Sequence, residues 1–304
     1  MKLSIIIVSW NTVDLLAQCL ESIYAYPPDG EFEVLVVDNA STDNSVQLVG
    51  EQFPQVKLFE NKVNVGFAGA NNQAIQQSLG SYVLLLNPDT EVKASALEDL
   101  LQFMDRHPQA GAVGARILNP DETLQTSCYP TPTLLREFWR LFHLDVFWPY
   151  GSYHMADWNL QKSREVDILL GACLLLRRTV LDQIGLMDES YFIYSEEVDL
   201  CYRVQQAGWH LYWVPQAQVI HYGGQSTQQV AAEMFMRLYE SKLIFIRKHH
   251  GWLASQIYKL ILLVTALTRL LISPLAWLER PSKRQRHLIL ANRYWHLVRA
   301  LPGM

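Results

Sequence analysis

The sequence predicts an α/β chain on a doubly wound, mostly parallel sheet, followed by an apolar and basic helical tail. Three observations carry that prediction. Buried-strand patterns rich in Val, Ile and Leu alternate with helical periodicity roughly every 25 residues, as in chains of βα units. Two of those apolar runs end in a carboxylate and then a polar turn: 35–37 runs into Asp38, and 82–86 into Asn87-Pro88-Asp89-Thr90. Charge is also divided. Residues 241–304 carry eleven Lys and Arg against the single acid Glu279, while the remainder holds 14 basic and 29 acidic residues, a net of −15.

The elements follow in order. Residues 3–9 form the first strand, and Trp10-Asn11 opens a polar turn. Over 14–24, Leu15, Leu16, Cys19, Leu20 and Ile23 recur at helical spacing, and Pro27-Pro28 stop the helix. A strand over 33–37 leads through a helix ending at Phe53 to a short strand at 56–59. The polar loop 60–67 precedes a helix at 70–78, a strand at 82–86, a helix at 95–107 and a strand at 110–115. After Arg116 the rhythm breaks, and 117–162 mixes prolines, aromatics and short apolar pieces as an irregular acceptor-side insertion. Regular pattern returns over 166–177, interrupted at Gly171-Ala172. Helices follow at 179–184 and 197–207, then strands at 210–214 and 218–221 and a helix at 231–249. The expected domains are 1–230, containing the insertion, and a tail over 231–304.

Composition narrows the classes. Half of the 304 residues are apolar and 18% are charged, enough for a full core and too little charge for disorder. Cys19, Cys128, Cys173 and Cys201 lie far apart without zinc-site spacing, which fits a reduced, cytoplasmic setting. Lys2 leads directly into the first strand with no signal-peptide pattern. The basic tail has no folded nucleic-acid reader and the body is acidic, so no nucleic acid is expected; an anionic membrane surface is the simpler partner.

The chemistry-bearing positions sit at strand ends. Open α/β sheets bind ligands at the carboxyl ends of their strands. There Asp38 would accept a hydrogen bond from a base or ribose, with Asn39 beside it, or it merely ends a strand. Asp43 would support that site or close an Asx turn. Asn64 and Gly66 precede a helix whose free N–H groups favour an anion; Asn71 and Asn72 read as caps. Asp89 is the sharpest ligand for a hard ion, Mg2+ or Mn2+, bridging to diphosphate oxygens, although NPDT is also good turn chemistry. In Glu196-Glu197-Val198-Asp199, Asp199 lies i,i+4 from Arg203, a structural pairing. Glu197, or less readily Glu196, then remains as a general base. His221, before Gly223-Gly224, is a metal ligand or a phosphate donor, and otherwise a packed histidine.

Taken together, SIIIVSWN, VVDNASTDNS, NVGFAGANNQAI, LLLNPDT, GACLLLRR, GLMDESYFIYSEEVDLCYR and HYGGQS resemble the family 2 glycosyltransferases, in the rhamnosyltransferase-like branch that builds cell-surface polysaccharide. The resemblance covers about residues 3–226. It implies the GT-A nucleotide-diphospho-sugar transferase fold, with Asp38 against the nucleotide. The Asp-x-Asp-like motif is represented by Asn87-Pro88-Asp89, with only its last carboxylate kept, and His221 is placed as a late metal ligand. The base is the second residue of a Glu-Asp pair, here replaced by Glu197. A thymidine- or uridine-diphospho sugar donor, a saccharide or lipid-linked acceptor and inversion at the anomeric carbon follow from the resemblance, with middle-region aromatics stacking on acceptor sugars.

The stretch 260–278 is close to a bilayer span in length, yet Arg269 sits at its centre and Pro274 interrupts it. An interfacial helix flanked by Lys259 and the basic cluster 280–286 fits better, placing the protein peripherally on the inner face of the cell membrane. The alternative is a homo-oligomer interface through the same helix. Rival readings are a sugar nucleotidyltransferase, disfavoured because the first strand-to-helix turn has neither glycine nor base, and a non-catalytic membrane scaffold.

Overall fold

The apolar runs pair into a nine-stranded sheet in the computed structural model, which describes residues 1–224, 229–274 and 281–304. Its strands are β1 (Leu3–Ser9), β2 (Phe32–Asp38), β3 (Lys57–Glu60), β4 (Tyr82–Leu86), β5 (Thr90–Val92), β6 (Ala110–Leu118), β8 (Arg164–Glu165), β10 (Cys173–Arg177) and β11 (His210–His221). β7 (Cys128–Tyr129) and β9 (Ile168–Leu169) form a separate pair. The order is β3-β2-β1-β4-β10-β6-β11-β5, with β8 on β11. Four ladders are parallel, β1 with β2 and β4, β2 with β3, and β6 with β11; the other four are antiparallel.

The sheet is therefore mixed, and the mostly parallel expectation holds only for its first half. The reason lies between β6 and β10. The earlier strands are joined by helices that cross a sheet face, which returns the chain parallel. The α-helix between β6 and β10, Leu134–Leu141, belongs to a second compact unit, and β10 arrives antiparallel between β4 and β6. A second difference concerns 210–221. Two strands were expected there, and one strand forms, with its register shifted between Val214 and Gln218. Pro215 lies in that gap, where its missing N–H would break a ladder bond.

Alternation along the strands builds a core on each face. Leu3, Ile5 and Ile7 pack with Leu16, Cys19, Leu20 and Ile23 of α1 (Val13–Ala25), Val49 of α2 (Ser45–Gln52), and Leu97, Leu100, Leu101 and Met104 of α4 (Ala96–Arg106). Ile6 and Val8 face the other way, toward α3 (Gly66–Gln77), α6 (Arg178–Ile184) and α7 (Glu196–Gln206). Each fully buried Leu or Ile contributes about 1.5–3 kcal/mol by removal from water, so a slip of β1 by one residue is strongly disfavoured. All four cysteines are buried free thiols.

The chain forms two compact units: Met1–Thr131 with Tyr153–Gln229, and Pro132–Ser152 with Val230–Met304. The first holds the sheet. The second contains α5 (Leu134–Leu141), α8 (Ala231–Ile272) and α9 (Pro281–Ala300). Its centre is polar. The buried Glu137 carboxylate accepts from Arg140 (2.7 Å), Lys242 (2.9 Å) and Tyr258 (2.9 Å). Burial pushes the Glu137 carboxyl up, but the Lys242 and Arg140 charges outweigh it and hold it at about 2. Burial draws Lys242 down to about 8 against the pull of Glu137.

Helix α8 is broken at Gly251, whose φ of 87° lies in the left-handed region. By length and composition it is apolar enough to cross a membrane. Leu253, Ile257, Leu260, Val264, Leu267 and Leu271 recur at three- and four-residue spacing and are all exposed. Arg269 is not stranded among them. It donates to the Leu141 carbonyl, contacts His143 Nε2 at 2.7 Å and lies over the Tyr294 ring. The helix ends at Ile272, just before Ser273-Pro274. The expected apolar stretch continues into 275–278, which lie outside the described residues, as do Arg280 of the basic cluster and 225–226 of the last motif.

Candidate active site

Register places two carboxylates on one edge. Asp38 pairs with Ser9 across the β1–β2 ladder, and Ile7 pairs with Leu86 across β1–β4. The last residue of β2 and the turn after β4 thus flank β1, two strand spacings or roughly 10 Å apart. Asp38 is 3% exposed; its Oδ2 accepts from the Ser41 N–H, and its buried Oδ1 has no hydrogen-bond partner among the described residues. A buried carboxylate oxygen without a donor is costly unless a ligand supplies one.

Asn39 is committed to the fold. It donates to Asn64 Oδ1 (2.8 Å) and the Gly66 carbonyl (3.2 Å), and it accepts from Asn61 and the Val65 N–H. Asn64 in turn accepts from the Gly66 N–H. Asp43 is equally engaged. One oxygen holds Ser45 and the other the Val13 N–H at the start of α1. Its carboxylate ties two helix starts together, which is the Asx-turn reading extended across the β1–β2 loops.

Gly66 has φ +81°, and a Cβ there would lie 2.6 Å from the Phe192 carbonyl, which accepts from the Phe67 N–H at 2.7 Å. The start of α3 is thereby pressed onto the loop that precedes α7. Asn72 grips the same loop, bonding Met187 N, Met187 O and Glu189. Asn72 is a clamp rather than the expected cap, and Asn71 bonds the Phe67 carbonyl within its own helix. From the other side, Arg203 pairs with Asp199 at 2.7 Å, the expected i,i+4 bridge, and donates to the carbonyls of Ile184 and Leu186.

This held loop ends in two consecutive non-glycine residues at positive φ, Tyr194 (67°) and Ser195 (65°), a local strain that aims the start of α7. Glu196 and Glu197 follow. Each has an Oε2 that is buried and without a hydrogen-bond partner among the described residues. Burial pushes both carboxyls up, and the Glu197 charge pushes Glu196 further. Backbone N–H groups at the helix start pull Glu197 back. Within this buried pair the charge of one carboxylate disfavours the charge of its neighbour.

Asp89 and His221, distant in sequence, meet because β5 pairs with β11: His221 lies opposite Thr90. His221 Nε2 is 3.3 Å from Asp89 Oδ1, and both side chains are nearly buried. Asn87 Nδ2 is 3.5 Å from the same ring nitrogen, and Asn87 Oδ1 has no hydrogen-bond partner among the described residues. Thr90 closes the turn through the Asn87 carbonyl at 2.7 Å. No group of three or more His, Cys, Asp or Glu among the described residues forms a complete metal cage. A carboxylate, an imidazole and an amide oxygen are donors that Mg2+ or Mn2+ accepts when phosphate and water complete the shell.

The two clusters are linked. The Asn87 N–H bonds the Ala172 carbonyl at 3.0 Å, and the adjacent Gly171 presents its α-carbon to Glu197, where a Cβ would come within 3.4 Å of the Glu197 Cβ. One of the middle-region aromatics is held by the fold. Trp158 packs edge-on against buried Trp213 at 5.2 Å and carries Arg164 over its ring. Gln125 was not anticipated: it bonds His221 through both its ring and its main chain.

The model of the glycosyl transferase family 2 matches residues 4–185, more than half of the chain. The chain belongs to that family. As a family 2 glycosyltransferase it has the GT-A-like α/β fold and transfers a sugar from a nucleoside diphosphate to an acceptor. It is 35% identical over 234 residues to the N-acetylglucosaminyl-diphospho-decaprenol L-rhamnosyltransferase of Mycobacterium tuberculosis (strain ATCC 25618 / H37Rv), covering 72% of this chain and 76% of that one. With rhamnosyltransferase WbbL of Escherichia coli (strain K12) it shares 24% identity over 76% of this chain and 87% of that protein. The solved mannosyltransferase PcManGT of Pyrobaculum calidifontis, in complex with GDP-Man and Mn2+, superposes with a TM-score of 0.57 at 18% identity, over 98% of this chain and 85% of that one.

Proposed function

We propose that this glycosyltransferase is inverting and metal-dependent and transfers a sugar, by similarity to its relatives rhamnose, to a saccharide or lipid-linked acceptor in cell-surface glycan synthesis. One observation carries the reading. A metal-type donor pair, Asp89 with His221, is joined through Asn87, Ala172 and Gly171 to the raised carboxyl pair Glu196–Glu197.

In this mechanism Asp38 Oδ1 accepts from the base or ribose of the donor, in a wall shaped by Asn39, Asn64 and Gly66. Glu197 removes the acceptor hydroxyl proton as that oxygen attacks the anomeric carbon from the side opposite the diphosphate, and the glycosyl–phosphate bond breaks with its electrons. Mg2+ or Mn2+ held by Asp89, His221 and Asn87 Oδ1 would neutralise charge on the leaving diphosphate. The PcManGT structure, which holds Mn2+, supports the metal. A single base without a covalent nucleophile yields inversion.

The exposed apolar stripe of α8 and the basic balance of 241–304 support peripheral attachment to an anionic, cytoplasmic membrane face, where a lipid-linked acceptor resides. The test is a panel of nucleotide sugars scored for metal-dependent release of nucleoside diphosphate, with membrane lipid extract as acceptor. One donor is expected to turn over, and Glu197→Gln is expected to lower that rate by about 10²–10⁴-fold while nucleotide binding persists. Nucleotide binding with no turnover of any donor would establish the non-catalytic scaffold instead.

A further inference from the structure

His221 is held by more than its strand. Gln125 stands on the return arm of a hairpin that follows β6, with its N–H on the Ile117 carbonyl at 2.9 Å. Its side-chain Nε2 donates to the His221 carbonyl (3.2 Å) and to Asn119 Oδ1 (2.8 Å). A main-chain carbonyl only accepts, so the amide cannot be turned over without setting two oxygens against each other. Gln125 Oε1 must then face His221 Nδ1, at 2.7 Å. The pattern continues outward: Asn119 Nδ2 donates to Thr123 Oγ1 at 2.9 Å, and the Thr123 hydroxyl donates to Asp121 at 2.5 Å. Every member has one direction, set by an obligate acceptor at each end, the Asp121 carboxylate and the His221 carbonyl.

We propose that Gln125, oriented through Asn119, Thr123 and Asp121, is a positioning residue that fixes the proton of His221 on Nδ1 and so leaves the Nε2 lone pair directed at Asp89. This rests on the reading of His221 as a metal ligand. With Nδ1 committed as donor, neutral His221 turns a lone pair toward a carboxylate oxygen 3.3 Å away. Two such acceptors face each other comfortably only with a metal ion between them or a proton added to Nε2. Outer partners of this kind orient ligating histidines and tune their affinity.

The experiment uses the full chain and Mn2+, with UDP or dTDP as the nucleotide, and follows free Mn2+ by electron paramagnetic resonance. Long-range nitrogen–proton NMR of the metal-free protein at mildly alkaline pH reports the tautomer. Gln125→Leu is expected to lose the Nδ1–H tautomer and weaken Mn2+ binding on the order of 10–100-fold. Gln125→Glu keeps an acceptor for Nδ1–H but turns a second oxygen toward the His221 carbonyl and Asn119 Oδ1, so it is expected to keep the tautomer while restoring only part of the affinity. In a His221→Ala background, Gln125→Leu is expected to add nothing. Unchanged Mn2+ binding in His221→Ala alone would overturn the parent reading of the ligand. If His221→Ala weakens binding while Gln125→Leu leaves tautomer and affinity intact, the parent reading stands and the role of Gln125 is refuted. Equal losses from Gln125→Leu with and without His221 would mark a merely structural part and also refute it.

Discussion

At the scale of single residues, environment rather than residue type separates two adjacent glutamates. Burial pushes both Glu196 and Glu197 up and helix-start N–H groups pull both back, but the Glu197 charge pushes Glu196 further. In the proposed role of Glu197, the base must be ionised to act. The transfer rate is therefore expected to fall as pH is lowered through a midpoint above the usual range for Glu, and to level off at higher pH, in a pH profile of kcat/KM. Glu197→Gln should remove that limb. Asp38, Asp89 and the Glu pair were legible in the sequence because each ends an apolar run or opens a helix, a local pattern that needs no knowledge of the fold. Gln125 and Asn72 were not, because their importance comes from contacts to His221 and Met187, 96 and 115 residues away. Asp43 shows the opposite case: the local pattern allowed a ligand role, and the fold uses both oxygens to join α1 and α2.

At the scale of elements, periodicity located the helices and most strands but not strand direction. β10 and the joined β11 are where it fell short, since direction depends on whether a helix crosses the sheet between two strands. In the second unit, α5 and α8 carry Glu137, Arg140, Lys242 and Tyr258 in one buried cluster. Glu137→Gln leaves two cations with a weaker partner and is expected to lower the unfolding free energy by about 3–5 kcal/mol in urea titrations. Because the folded carboxyl sits at about 2, below its ordinary value, its stabilising contribution is full near neutral pH and is lost as pH falls toward about 2. The outer stripe of α8 makes a separate prediction. Leu260→Asp with Leu267→Asp places two charges among exposed apolar residues that support no core, so folding is expected to survive while co-sedimentation with anionic vesicles drops at least several-fold.

At the scale of the whole molecule, the GT-A fold was legible from ordered motifs, and the mixed sheet explains how widely separated motifs share one edge. Ligand linkage tests that edge as a unit. Mn2+ with UDP or dTDP at about 100 times its dissociation constant is expected to stabilise the folded chain by about 2.7 kcal/mol, read as a rise in thermal midpoint. A chelator should reverse the gain, and Asp89→Asn should show less of it. The contact between Gly66 and Phe192 carries a further consequence. With 2.6 Å between the Phe192 carbonyl and any Cβ at 66, the start of α3 and the segment leading to Glu197 share a single fitted joint. Chimeras between relatives must therefore exchange 61–72 and 185–197 as one cassette. Either segment transplanted alone would meet a neighbour shaped for a different chain.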